Sequence, residues 1–165
     1  MPPIVSIVGR SESGKTTLIE KLIPELKRRG YRIGTIKHTH HAVEIDQGGK
    51  DSARHRRAGA DTVMLASPGS VAMFKSQATD TVEELARFFE DVDLLITEGF
   101  KRERHPKIEV VRAAVAVELM CRDDPSLIAV ATDAPLSGLA VPLFRLSDPA
   151  GIADFIAERI LGRRG

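Results

Sequence analysis

The 165-residue sequence predicts an α/β fold, a mainly parallel sheet with helices on both faces and a β-hairpin added. Three observations carry this. Short apolar, β-branched runs alternate with segments whose apolar residues recur at helical spacing. Those runs are continuous rather than alternating with polar residues, the pattern of strands buried on both sides. Two further strand-like runs, DTVMLAS and SVAMFKS, are parted by Pro68 and Gly69, which is a hairpin signal.

Taken in order, IVSIV at 4–8 is a buried strand that runs into Gly9. Leu18, Ile19, Leu22, Ile23 and Leu26 then recur at helical spacing, with Gly30 placed to end the helix and Pro24 expected to kink it or end its first half. YRIGTIKH is the next strand, 39–49 a loop containing two glycines, and KDSARHRRAGA a short basic helix ending at Gly59. After the hairpin, TDTVEELARFFEDV is expected as an amphipathic helix with Val82, Leu85, Phe88 and Phe89 on one face. DLLITEG and SLIAVATDAP are buried strands with polar ends, and DPAGIADFIAERILGRRG is a closing amphipathic helix. No repeat or linker interrupts 1–165, so one domain is expected.

Composition narrows the function. Net charge is +1, with 42% hydrophobic and 28% charged residues, the balance of an ordinary soluble globular protein. Between Lys27 and Arg57 lie nine Lys or Arg, four His and only Glu44, Asp46 and Asp51 as acids; KRERHPK forms a second basic run. Two basic loops on a near-neutral chain suit small anionic ligands better than nucleic acid, which wants a continuous basic stripe. One Tyr, six Phe and no Trp leave little for base stacking. The single Cys121 excludes an intramolecular disulfide and a cysteine metal cage. No run reaches the ~18 apolar residues of a membrane span, and no signal pattern opens the chain, so a cytoplasmic location is expected.

In an open parallel sheet, ligands bind beyond the carboxyl ends of the strands. After the first strand, GRSESGKT matches G-x-x-x-x-G-K-[ST] from Gly9 to Thr16. Glycines let the backbone amides wrap a phosphate, and the following helix presents its positive end. By chance the pattern arises in roughly one chain of this length per few hundred. Its position between a strand and a helix makes the fold a three-layer, P-loop NTPase-like one. The loop, from Gly9 through Ser13 and Gly14, would cradle a nucleoside triphosphate. Lys15 would reach the β- and γ-phosphates, and the Thr16 hydroxyl would ligate Mg²⁺.

Such a loop needs an acid at the end of a neighbouring strand, and Glu98 in DLLITEG meets that need. Glu98 would hold a metal-bound water or orient the attacking one. Asp93 lies at the wrong end of the strand and is expected as a surface residue or cap. Asp133, after SLIAVAT, has the chemistry to accept N1–H and N2–H₂ of guanine, or equally to cap the turn before Pro135.

GRSESGKTTL, KHTHH, DQGGKDS, RAGAD, ITEGFK, PKIEVVR and AVATDAPL, in that order, give the chain a resemblance to the molybdopterin-guanine dinucleotide biosynthesis protein B family (MobB), from Ile4 to about Ile156. The phosphate loop is generic, whereas the KHTHH–GKDS–RAGA series and the EGFK–PKIEVVR pairing are far more specific. The resemblance implies a GTP-binding protein, usually a homodimer, with weak Mg²⁺-dependent GTPase activity. It implies a helper of the guanylyltransferase that joins GMP to molybdopterin during molybdenum cofactor biosynthesis, not that enzyme itself. By this resemblance Gly14, Lys15, Thr16 and Thr17 bind phosphate and Mg²⁺, Glu98 is the strand-end acid, and Asp133 becomes the guanine reader. The family often carries Pro before Gly-Lys-Asp-Ser; here Gln47-Gly48-Gly49 stands instead, which makes a looser loop.

KHTHH contains three of the five histidines. In an extended stretch His38 and His40 share a face while His41 points away, and no paired ligand spacing accompanies them. Lys37, His38, His40 and His41 are therefore expected as a switch-like loop that touches nucleotide or pterin phosphate. Arg10 is a possible cationic finger toward a partner's nucleotide, or an exposed loop-tip side chain. Two other readings share the phosphate loop: a GTPase metallochaperone, with the histidines as its metal handle, and a small-molecule kinase, with RERHPK as its lid.

Overall fold

The computed structural model describes residues 1–39, 51–76 and 80–162. Their contacts divide the chain into two compact units, Met1–His38 with Val82–Gly165, and Thr39–Thr81. The first expected strand is β1, Ile4–Val8, buried at every position. It leads through the glycine loop into α1, Lys15–Arg28, and then into β2, Ile33–Lys37.

The smaller unit comprises α2, Asp51–Arg57, β3, Thr62–Ser67, and β4, Ser70–Lys75. The two strands form the expected antiparallel hairpin, in register from Thr62 opposite Lys75 to Ser67 opposite Ser70. Val63 is its buried residue, and the Arg56 guanidinium lies 4.9 Å from the Phe74 ring centre. Met64, Val71 and Met73 share the hairpin's other face and are exposed.

The chain continues in the larger unit with α3, Val82–Ala86, and β5, Leu94–Glu98. There follow β6, Lys107–Val111, β7, Leu127–Thr132, β8, Leu143–Arg145, and α4, Pro149–Ile156. A wider, π-type turn, Ala157–Leu161, extends α4. Strand order is β2-β5-β1-β6-β7-β8, every neighbouring pair parallel. The predicted three-layer parallel sheet is thus present. β6 and β8 complete it, though neither stands out in the sequence as a strand.

One face of the sheet is apolar. Val5, Ile7, Leu94, Ile96, Ile108 and Val110 pack against Leu18, Leu22 and Leu26 of α1 and against Ile152 and Ile156 of α4. Arg29, at the end of α1, fastens the two helices together with hydrogen bonds to Asp154 (2.8 Å) and the Ala150 carbonyl (3.2 Å). On the opposite face α3 and Phe100 cover Ile4 and Leu95, while residues 119–121 and 134–141 cover Val8, Val111 and Val130.

One expectation is narrowed and another needs correction. Of the two outcomes expected at Pro24, a kink or an end, the end does not occur: α1 runs through it. Pro24 lies on the exposed side, and so does Glu20, whose carbonyl loses its helical partner and can meet water instead. The helix after the hairpin is shorter than predicted, and Phe88 is 43% exposed rather than on the apolar face. Beyond Ala86 the backbone tightens to bonds three residues apart, Phe88 to Leu85 and Phe89 to Ala86. That turn rotates Phe88 outward and lays Phe89 on Gly34, where any Cβ would come within 2.6 Å of its ring. Among the described residues no helix is long and apolar enough to cross a membrane.

Candidate functional site

β1 delivers the chain to Gly9 at the carboxyl edge of the sheet. Gly9 has φ 149°, and a Cβ there would lie 2.5 Å from the Val110 carbonyl oxygen of β6. The loop therefore rests directly on the neighbouring strand, and only glycine permits it. Ser13 donates its amide to the Arg10 carbonyl (3.3 Å), and Gly14, at φ 95°, opens α1. No side chain caps that helix start, so its first amides face outward in the manner of an anion site.

Lys15 folds back over the loop. Its Nζ donates to the carbonyls of Gly9 (3.1 Å) and Arg10 (2.6 Å). Burial lowers its pKa, the Glu98 carboxylate opposes that shift, and the Lys37 ammonium adds to it. An arriving phosphate would favour the charged form of this lysine. Thr16, one residue on, turns its Oγ1 toward Glu98 and lies 2.8 and 2.9 Å from the two carboxylate oxygens.

Glu98 reaches that position because β5 lies between β1 and β2, with Glu98 opposite Ile7 on one side and Lys37 on the other. Lys37 Nζ is 3.5 Å from Glu98 Oε1. The His38 amide donates to the Glu98 carbonyl (3.0 Å), and the His38 ring packs 4.7 Å from that of Phe100. Thr16, Lys37, His38 and Glu98, each singled out in the sequence, thus meet at one corner. The hydroxyl and carboxylate oxygens of Thr16 and Glu98 converge as hard donors of the kind Mg²⁺ takes. Thr17 follows in the first turn of α1 and is exposed.

On the other flank, Asp133 is exposed at the end of β7, and its Oδ1 accepts the Ala113 amide at 2.7 Å. The turn-capping role falls to Thr132, whose hydroxyl accepts the Ala134 amide at 2.8 Å. Asp133 therefore ties the ends of β6 and β7 together. Arg10 forms an exposed ion pair with Glu118 at 3.7 Å. Asp93 accepts the Arg32 amide (2.8 Å) and guanidinium, the surface role expected of it. His40, His41 and the 40–50 stretch lie outside the described residues; among those that are described, no three His, Cys, Asp or Glu side chains form a group able to hold a metal.

Sequence reasoning missed two things. Lys107 and Glu109 project from β6 into the protein, each 1% exposed. Lys107 pairs with Asp124 (2.6 Å), and Glu109 accepts the amides of Met120 and Cys121 (2.7 and 2.9 Å). The second is Arg112, whose Nη2 would be 3.0 Å from a Cβ on Gly14. No local signal marked it, since β6 does not stand out in the sequence as a strand.

Comparisons with known proteins point to one family. The model of a family described as molybdopterin guanine dinucleotide synthesis protein B matches residues 4–133. The chain is 40% identical to a molybdopterin-guanine dinucleotide biosynthesis adapter protein of Escherichia coli, over 100% of this chain and 97% of that one. It is 41% identical to a protein of the same description from Haemophilus influenzae, over 93% and 87%. A crystal structure described as molybdopterin-guanine biosynthesis protein B superposes with a TM-score of 0.77 at 33% identity, covering 94% of this chain and 98% of the other.

Proposed function

The chain belongs to the molybdopterin guanine dinucleotide synthesis protein B family, and from that premise we propose that it is a GTP-binding adapter in the attachment of GMP to molybdopterin. The observation that carries this reading is the pairing of an uncapped, glycine-built helix start with Thr16 and Glu98 side by side at its mouth. The amides from Ser13 to Thr17 and the Lys15 ammonium would hold the triphosphate. Thr16 and Glu98 would hold Mg²⁺, which neutralises phosphate charge when bound. Asp133 would take the guanine edge through the oxygen not used by Ala113.

Hydrolysis is expected to be weak and Mg²⁺-dependent, because Glu98, the acid at this corner, would be engaged with Mg²⁺ and the sequence offers no evident second catalytic group beside it. The partner in the pathway would be the molybdopterin guanylyltransferase, in the cytoplasm, with molybdopterin or the molybdenum cofactor as the small ligand. A homodimer is supported by the hairpin face of Met64, Val71 and Met73, an exposed apolar strip on a two-stranded ribbon that is marginal by itself. Met64→Asp should shift the protein toward monomer in sedimentation; an unchanged mass would remove the hairpin from the interface.

Calorimetric titration with GTP and then ATP, both with Mg²⁺, tests the nucleotide reading. GTP preference that disappears in Asp133→Asn is the expected result, since asparagine keeps the acceptor for Ala113 and removes the charge. Equal binding of ATP would make Asp133 a purely structural tie and bring the kinase reading forward.

A further inference from the structure

Arg112 directly follows β6, which flanks β1 on the side opposite β5. It therefore stands across the phosphate loop from Glu98. Its guanidinium lies beside Gly14, with Nη2, Cζ and Nε at 3.0, 3.6 and 3.8 Å from the position a Cβ would take. Its backbone is pinned on the C-terminal side. The Arg112 carbonyl accepts the amides of Val115 (2.9 Å) and Ala116 (3.0 Å), and the next amide is held by Asp133.

A half-buried cation normally has a carboxylate beside it, because an uncompensated charge away from water is costly. Among the described residues none pairs with Arg112. The two acids that line the same small pocket are otherwise engaged, Glu118 with Arg10 and Glu109 with two backbone amides. Two buried polar atoms of this pocket, Arg112 Nε and Ser13 Oγ, have no hydrogen-bond partner among the described residues. The fold thus fixes a cation and a hydroxyl at the base of an anion-binding loop and leaves both uncommitted.

We propose that Arg112 is the second fixed cation of this site, a positioning residue that holds the nucleotide's phosphates from the side opposite Glu98. It acts through the Gly14 turn against which it lies and through its charge. The proposal rests on the nucleotide reading above but not on the identity of the base.

The test is titration of the full chain with Mg²⁺ and either inorganic triphosphate or GTP, at low and high salt. Wild type, Arg112→Gln and Arg112→Lys are compared, with melting temperature recorded for each. Arg112→Gln should melt near wild type and bind both ligands about tenfold more weakly at low salt, about 1.4 kcal/mol. That deficit should narrow as salt screens the wild-type charge, and Arg112→Lys should recover most of it. A mere prop for the loop would give equal, salt-independent losses in Gln and Lys, and that result overturns the proposal, as does wild-type binding by Arg112→Gln. If Arg112→Gln fails to fold, Arg112→Lys decides: retained, salt-sensitive triphosphate binding supports the charge role, and loss of binding overturns it. Triphosphate binding lost in Arg112→Gln without any preference for GTP would sink the guanine reading alone. Undiminished affinity of Arg112→Gln for both triphosphate and GTP would sink this proposal alone, and a wild type that binds neither ligand sinks both.

Discussion

The two faces of the six-stranded sheet are built from the same strands but to different plans. Toward α1 and α4 the strands offer Val5, Ile7, Leu94, Ile96, Ile108 and Val110, with no polar side chain among them. Toward the other side the same strands set Ser6, Thr97, Lys107 and Glu109, all buried, among the apolar Ile4, Val8, Leu95 and Val111. Ser6 and Thr97 satisfy each other at 2.8 Å, and Lys107 and Glu109 are satisfied by the loop that covers them. The apolar face gains from non-directional burial and tolerates repacking. The polar face gains from directed bonds and holds the 112–124 segment, including Arg112, in one place beside the phosphate loop.

The comparison breaks most visibly on the apolar side. Leu22→Ala removes a fully buried side chain between α1 and the sheet and should cost about 3 kcal/mol in urea unfolding. Nucleotide affinity of the folded fraction should stay the same. On the polar side, Lys107→Met strands Asp124. Because Asp124 is 26% exposed, the loss should fall short of that for a fully buried pair, at about 2 kcal/mol. Here triphosphate binding should weaken as well, since the covering segment loosens. A Lys107→Met/Asp124→Leu double variant that regains stability but not binding would sharpen the contrast between the faces.

A smaller effect is expected with pH. The Lys107 ammonium holds the Asp124 carboxyl below its ordinary value, helped by the Ser126 amide and opposed by burial. A depressed carboxyl contributes stability in full above its unfolded pKa, about 3.9, and loses it as pH falls through the lower folded value. Melting temperature should therefore decline below about pH 4, and the decline should be shallower in Lys107→Met. The smallest change concerns Cys121, whose thiol is pushed up to about 11 by burial and by Glu109. Alkylation near pH 8 should be slow in the folded protein and fast in urea; rapid native labelling would mean that the polar face opens readily.

The sequence made some of this legible because the chemistry was local. The loop from Gly9 to Thr16 is contiguous, and Glu98 follows from asking which apolar strand ends in an acid. Lys107 and Glu109 were not legible. In KIEVV the alternation suggests one wet face, and only the central place of β6, together with the segment folded over it, makes that face dry. Arg112 beside Gly14 was hidden for the same reason, since the contact joins residues nearly a hundred positions apart. At Pro24 the helix continues because the freed carbonyl faces water, a matter of which side of the helix the proline occupies.

The turn after Glu98 sets backbone strain against packing. Gly99 and Phe100 both have positive φ, at 99° and 55°. A phenylalanine held there costs about 1–2 kcal/mol, while burying its ring among Ile4, Val82, Ala86 and Leu95 contributes about 2–3 kcal/mol. Glycine at 100 would relax the backbone and lose the ring; a smaller apolar residue would keep the strain and lose part of the packing. Both replacements cost stability, so the backbone just beyond Glu98 keeps its strained turn only because the ring two residues on is buried.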